Sequence, residues 1–127
     1  MAERVFLSIE MVLDLHHRSL VEHGGSSGIR DQGGLESAVA QAKNDFYYGN
    51  ADAFGIAAAY AFHIAQAQAF LDGNKRTAIG SALLSLQLAG VPVTTAHTEE
   101  LQNAMTAIAN HELDKAGLGA LFRRLFA

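Results

Sequence analysis

Gln68-Ala69-Phe70-Leu71-Asp72-Gly73-Asn74-Lys75-Arg76-Thr77 is a short polar stretch set between two long apolar segments. Ala57 to Gln66 reads AAAYAFHIAQ, and Ala78 to Leu88 reads AIGSALLSLQL. Both are rich in Ala or Leu, lack Pro and are apolar on most faces, the pattern of helices buried in a core. The spacing predicts a central helix pair over 54–68 and 75–89, joined by a loop that carries an acid, a glycine and two cations. Gly73 lets the chain turn tightly and approach a ligand. Asn74 fits an N-cap, which puts Lys75, Arg76 and Thr77 in the first turn of the second helix. Cations are unfavourable at that end of a helix dipole. A bound anion would remove the conflict, and phosphate is the usual one. Asp72 beside it could hold Mg²⁺, which takes one or two carboxylates plus substrate phosphates. An ordinary connection with solvated charges fits the same spacing, so the residues alone leave both readings open.

Length and composition agree with a helical bundle. The chain has 127 residues, half of them hydrophobic, which suits one domain over 1–127 with a real core. Its net charge of −4 gives no general attraction to nucleic acid or to an anionic membrane. There is no Cys, which excludes disulfides and thiolate metal sites. The opening MAERVFLSIE lacks a signal-peptide core. The apolar stretch at 53–71 is broken by His63, Gln66 and Gln68, against a membrane span. A cytoplasmic protein is the expectation. The only Pro is Pro92, and few breakers with much Ala and Leu favour an all-α fold.

Ser8 fits an N-cap for a first helix with Ile9, Val12, Leu13, His16 and Leu20 on one stripe, stopped at Gly24-Gly25. His16 and His17 are adjacent and face different ways, so they are no metal pair and read as surface or half-buried residues. In the glycine-rich 24–34 segment, Arg30 and Asp31 suit a local ion pair. A short helix follows at Leu35, Ala38 and Val39. KNDFYYGNAD at 43–52 suggests a turn or small β flap over 44–50, with Tyr47 and Tyr48 as a core lid or a docking surface. Gly90 caps the second central helix, and Val91-Pro92-Val93 reads as extended. Thr98 suits the N-cap of a helix carrying Leu101, Met105 and Ile108, with His111 near its end. Leu118, Leu121, Phe122, Leu125 and Phe126 mark a last packing helix.

The loop resembles the signature of the Fic/Doc family, His-x-Phe-x-Asp/Glu-Gly-Asn followed by Gly-Arg or Lys-Arg. Phe70, Asp72, Gly73, Asn74, Lys75 and Arg76 match in register. The Lys75-Arg76 pair is the form of the Doc, or death-on-curing, branch of toxin–antitoxin modules. FLSIEMVLDLH, GGSSGIRDQGGLESAVA and AIGSALLSLQLAGVPV extend the likeness over most of the chain. It implies an all-α bundle of six or seven helices with at most a small β flap. It also implies transfer of the ATP γ-phosphate to a hydroxyl of elongation factor Tu, arrest of translation, and a cognate antitoxin whose disordered tail folds on binding. Carried over by position, Asp72 binds Mg²⁺, and Gly73, Asn74, Lys75, Arg76 and Thr77 receive phosphate. Phe70 anchors the loop, Arg30 and Asp31 lie near the site, and the 44–50 region aligns the target. In the family's catalytic His position this chain has Gln68. An amide is no base near neutral pH, and His63 lies five residues earlier, about 140° around the helix at roughly 100° per residue. The expectation is therefore a disabled toxin, whether through natural decay or deliberate substitution. AMP transfer, which Lys75 disfavours by crowding the anion site, and a non-catalytic antitoxin-binding module are the alternatives.

Overall fold

The structure, a computed structural model, describes residues 6–127. Residues 1–5, half of the opening stretch MAERVFLSIE, lie outside it. Among the described residues the chain forms α1 (Ile9–His23), α2 (Gln32–Gly49), α3 (Ala53–Ala67), α4 (Asn74–Leu88), a 3₁₀ turn (Thr95–His97), α5 (Thr98–Ala109) and α6 (Lys115–Phe126). No strand is present among them, as the all-α reading requires. No helix is long and apolar enough to cross a membrane among the described residues.

The axis of the bundle is α3, which packs against α2, α4, α5 and α6. Small side chains make this possible: Ala57, Ala58, Ala59, Ala61 and Ala65 are all buried, so neighbours close in on several sides at once. Ile56, Tyr60 and Ile64 fill the remaining volume. Each large apolar side chain buried this way stabilises the fold by about 1.5–3 kcal/mol. The Tyr60 hydroxyl is buried too, and accepts a hydrogen bond from the Leu7 amide at 2.7 Å. Burial pushes the phenol's pKa up, with the Leu7 bond acting against it. The second member of the central pair, α4, lies against α3 on one side and α1 on another.

Helix ends follow the local sequence, with instructive exceptions. Ser8 caps α1 by accepting from Met11 N, and Gly24 ends it. After α4, Gly90 takes φ 83° while its amide bonds Gln87 O and Val91 N bonds Leu86 O, the paired closure that a left-handed glycine permits. The short helix expected at Leu35 is instead the first part of an 18-residue helix. It runs through 44–49, most of the stretch where a flap was expected. Gly49-Asn50, read there as a turn, is the helix terminus: Asn50 is left-handed (φ 53°, ψ 36°) and its amide reaches Asp45 O and Phe46 O. Within this helix the Phe46 ring packs on Phe6 (5.7 Å between centroids) and Tyr47 (5.2 Å). Residues 91–94 form no strand either. At α5 the cap is His97, not Thr98, because the 3₁₀ turn capped by Thr94 runs straight into the helix. Thr98 Oγ1 donates instead to Thr95 O at 2.7 Å. His111 falls beyond the end of α5, with φ 60°.

Candidate functional site

Gln68 ends α3 in the left-handed region, at φ 45° and ψ 46°. That conformation costs an L-residue roughly 1–2 kcal/mol. Here it swings the chain off the helix and sends Phe70 into the core, where it is fully buried. The loop is then held from several directions. Ile29 and Phe70 form an antiparallel bridge. Arg30 N and Asp31 N both donate to Ala69 O, at 2.6 and 3.1 Å, and Leu71 N donates to Gly28 O at 3.2 Å. The expected Arg30–Asp31 ion pair is absent. Arg30 Nη2 donates to Phe70 O at 3.3 Å, and Asp31 caps α2 by accepting from Gly34 N at 2.9 Å. The glycine-rich segment is therefore a brace for the loop.

Gly73, at φ 80°, is the N-cap of α4, and no side chain caps that end. Asn74, expected as the cap, is the first helical residue. Its side chain turns back instead: Oδ1 accepts from Phe70 N at 3.0 Å and Nδ2 donates to Phe70 O at 2.9 Å. This ring of two bonds engages both polar atoms of the Asn74 side-chain amide. It leaves the first backbone amides of α4 without side-chain acceptors at the positive end of the helix.

A cavity of about 630 Å³ opens over this end, and Gln68, Asp72, Gly73, Asn74, Lys75 and Arg76 line it together. Its far wall is α5, through Gln102, Asn103 and Thr106. Lys75 Nζ crosses the cleft to Thr106 Oγ1 at 3.2 Å. Arg76 is exposed and has no carboxylate partner among the described residues. Asp72 Oδ2 accepts from Ser26 N at 2.7 Å, and its other oxygen has no protein donor among them. Thr77 stands apart: its side chain is buried with the hydroxyl unpartnered, and its amide bonds Gly73 O at 2.9 Å. No group of three or more His, Asp or Glu side chains suited to a metal occurs among the described residues.

One residue of this site was read as unremarkable in the sequence. His16 is 6% exposed, its ring stacks on Phe70 at 3.7 Å and 11°, and its Nε2 lies 2.8 Å from Asp72 O. Its place on the apolar stripe of α1 was the available signal. Nothing in the sequence linked Ser26 or the α5 residues to the loop.

A larger cavity, about 940 Å³, lies at the opposite end of α3. Its charges are paired. Lys115 Nζ meets Asp45 Oδ2 at 2.7 Å, and Arg123 Nη2 meets Asp52 Oδ2 at 2.6 Å. Lys115 also donates to His63 Nε2 at 3.1 Å, which requires a neutral imidazole. Burial, then the Lys115 charge, lowers the His63 pKa from its usual value, with Asp45 opposing. Burial raises the Asp52 pKa, but hydrogen bonds from Gly55 and Arg123 outweigh it and the net shift is downward.

Residues 6–86 match the model of the Fic/DOC family. Over 121 residues, 94% of each chain, the sequence is 31% identical to a protein of Escherichia phage P1 named protein kinase doc. The match spans the loop, its brace and both central helices, and the chain belongs to the Fic/DOC family.

Proposed function

We propose that this chain is a single-domain, cytoplasmic, Doc-like toxin of a toxin–antitoxin module. Its cleft is a phosphotransferase site whose proton-accepting step is impaired by Gln68. The observation that carries this reading is the meeting of uncapped α4 amides, the Arg76 cation and the Asp72 carboxylate in one cleft with Gln68. The name of the phage P1 relative, protein kinase doc, supplies the reaction class.

The substrate is ATP, its terminal phosphates lying on the amides of Asn74, Lys75 and Arg76. A target hydroxyl oxygen forms a bond to the γ-phosphorus, the bond to the β–γ bridging oxygen breaks, and ADP leaves. Lys75 and Arg76 stabilise the charge that develops on the transferring group, the main requirement of such a reaction. Asp72, whose second carboxylate oxygen has no protein donor among the described residues, would hold Mg²⁺ beside the phosphates. Mg²⁺ there would supply further charge neutralisation. The hydroxyl proton needs an acceptor beside the loop, and Gln68 is the residue in position. Its amide has no usable basic site near neutral pH, and loss of a general base costs about 10²–10⁴ in rate. The target is elongation factor Tu.

The antitoxin tail is expected in a groove built partly from α1 and the C-terminal helices; on the α1 side, a groove of about 500 Å³ against α4 is lined by Met11, Leu15, Leu83, Leu84 and Val93 together with Asp14, Arg18 and Gln87. An amphipathic tail that folds on contact would lay its apolar face there. AMP transfer is disfavoured by Lys75, which occupies space a second phosphate arrangement would need. The decisive experiment is mass spectrometry of elongation factor Tu and of cell extract after incubation with ATP and Mg²⁺, comparing the chain with its Gln68→His variant. Addition of phosphate by the variant is the expected result. No phosphate or AMP transfer by either protein would favour a non-catalytic antitoxin-binding module.

A further inference from the structure

We propose that His16, from α1, is a positioning residue for the phosphate loop: it fixes the Asp72–Gly73 main chain and so aims the amides that follow. Asp72 O can only accept, so the 2.8 Å contact requires hydrogen on His16 Nε2. Among the described residues this is the side-chain bond made to the main chain of Asp72, and it comes from 56 positions away in sequence. The other braces act on Ala69, Phe70, Leu71 and the Asp72 carboxylate.

The ring is held rigidly enough to serve. Phe70 stacks on one face of it, and a Cβ on Gly73 would come within 3.4 Å of His16 Cδ2. His16 thus stacks on Phe70 before Asp72 and lies beside Gly73 after it. Leu71 and Asp72 themselves are exposed and lack a packed core around them. Gly73 is the left-handed N-cap, so any rotation of the Asp72–Gly73 peptide re-aims the Asn74, Lys75 and Arg76 amides. The Asp72 carboxylate would move with it.

The ligand part of the test rests on the phosphate-site reading, and the loop part does not. Two variants divide the two functions of the ring: His16→Phe keeps the stack without the donor, and His16→Gln keeps a donor without the stack. In His16→Phe, hydrogen exchange at the bonded amides of Phe70 and Leu71 should quicken about tenfold, the scale of one lost hydrogen bond. Exchange in α3 and α6 should stay unchanged, and ATP affinity should fall by a similar factor. His16→Gln should recover part of both. In the unaltered chain, nitrogen-15 NMR of the ring should show Nε2–H. A neutral ring protonated on Nδ1 alone would overturn the proposal whether or not either variant folds. So would loop exchange unchanged in His16→Phe, or a loss of protection spread evenly over the helices. If the unaltered chain binds no ATP, the phosphate-site reading falls, while loop exchange and the ring tautomer still decide the role of His16.

Discussion

The two ends of α3 carry cavities made from similar parts, and they differ in how the charges are satisfied. At the N-terminal end, Asp52 and Asp45 are matched by Arg123 and Lys115, and the pairs tie α6 to α2 and α3. At the C-terminal end, among the described residues, Arg76 has no carboxylate, Lys75 meets a hydroxyl, and the helix amides beside them have no side-chain cap. The larger volume belongs to the paired end. Volume therefore says little here, while unsatisfied positive charge at a helix start says much. A fold tolerates two cations in the wrong place for the dipole when a ligand supplies the missing anion.

The widest gap between the two ends should appear in chemistry. Gln68→His should raise phosphoryl transfer by about 10²–10⁴ and make the chain toxic without an antitoxin. Asp72→Ala added to it should erase the gain. Radiolabelled phosphate transfer to elongation factor Tu measures both, and no single substitution at Asp45, Asp52, Lys115 or Arg123 should produce any comparable gain. A Gln68→His protein as inert as its parent would break the comparison, leaving both cavities structural.

Nucleotide binding should separate the ends next. Lys75→Ala and Arg76→Ala should each weaken ATP binding by about 1.5–3 kcal/mol, the loss of one charge-assisted contact. Lys115→Ala and Arg123→Ala should leave the affinity unchanged. Calorimetry in which all four behave alike would remove the distinction.

Stability should reverse the order. Arg123→Ala should cost up to about 1 kcal/mol, less at high salt, because its pair with Asp52 is half-exposed. Arg76→Ala should cost nothing, or add about 0.3–1 kcal/mol, since it removes a cation from a helix N-terminus. Urea unfolding at two salt concentrations reads both effects.

The smallest effect concerns His63. Its pKa is lowered in the fold, so the unfolded chain takes up the proton first as pH falls. Its contribution to stability is complete well above the unfolded value of 6.5 and declines as pH drops through and below it. His63→Gln should flatten the melting temperature between pH 7 and pH 5 relative to the parent, by about the effect of one histidine.

Much of this molecule is readable from its local sequence. The buried character of α3 and α4 follows from their composition, and the stops at Gly24 and Gly90 follow from glycine's access to positive φ. The site loop is legible because its residues are contiguous. The misread places are those where one residue type serves two geometries. Gly49-Asn50 closes a hairpin or a helix with equal ease, and here it ends a helix whose Phe46 ring packs on Phe6. Asn74 suits an N-cap, yet Gly73 takes that position and frees the Asn74 side chain to clamp Phe70.

By itself, the sequence determined that the chain is helical and that its two central helices are joined by a contiguous polar loop of one acid and two cations, with the amide Gln68 before it. These are properties of composition, periodicity and adjacent residues, which need no partner from elsewhere. Only the tertiary structure decided that His16 holds Asp72, that Ser26 and Arg30 brace the loop, and that α5 forms its far wall. Those contacts join residues tens of positions apart, and hydrogen-bond direction and ring stacking exist only once the helices have packed.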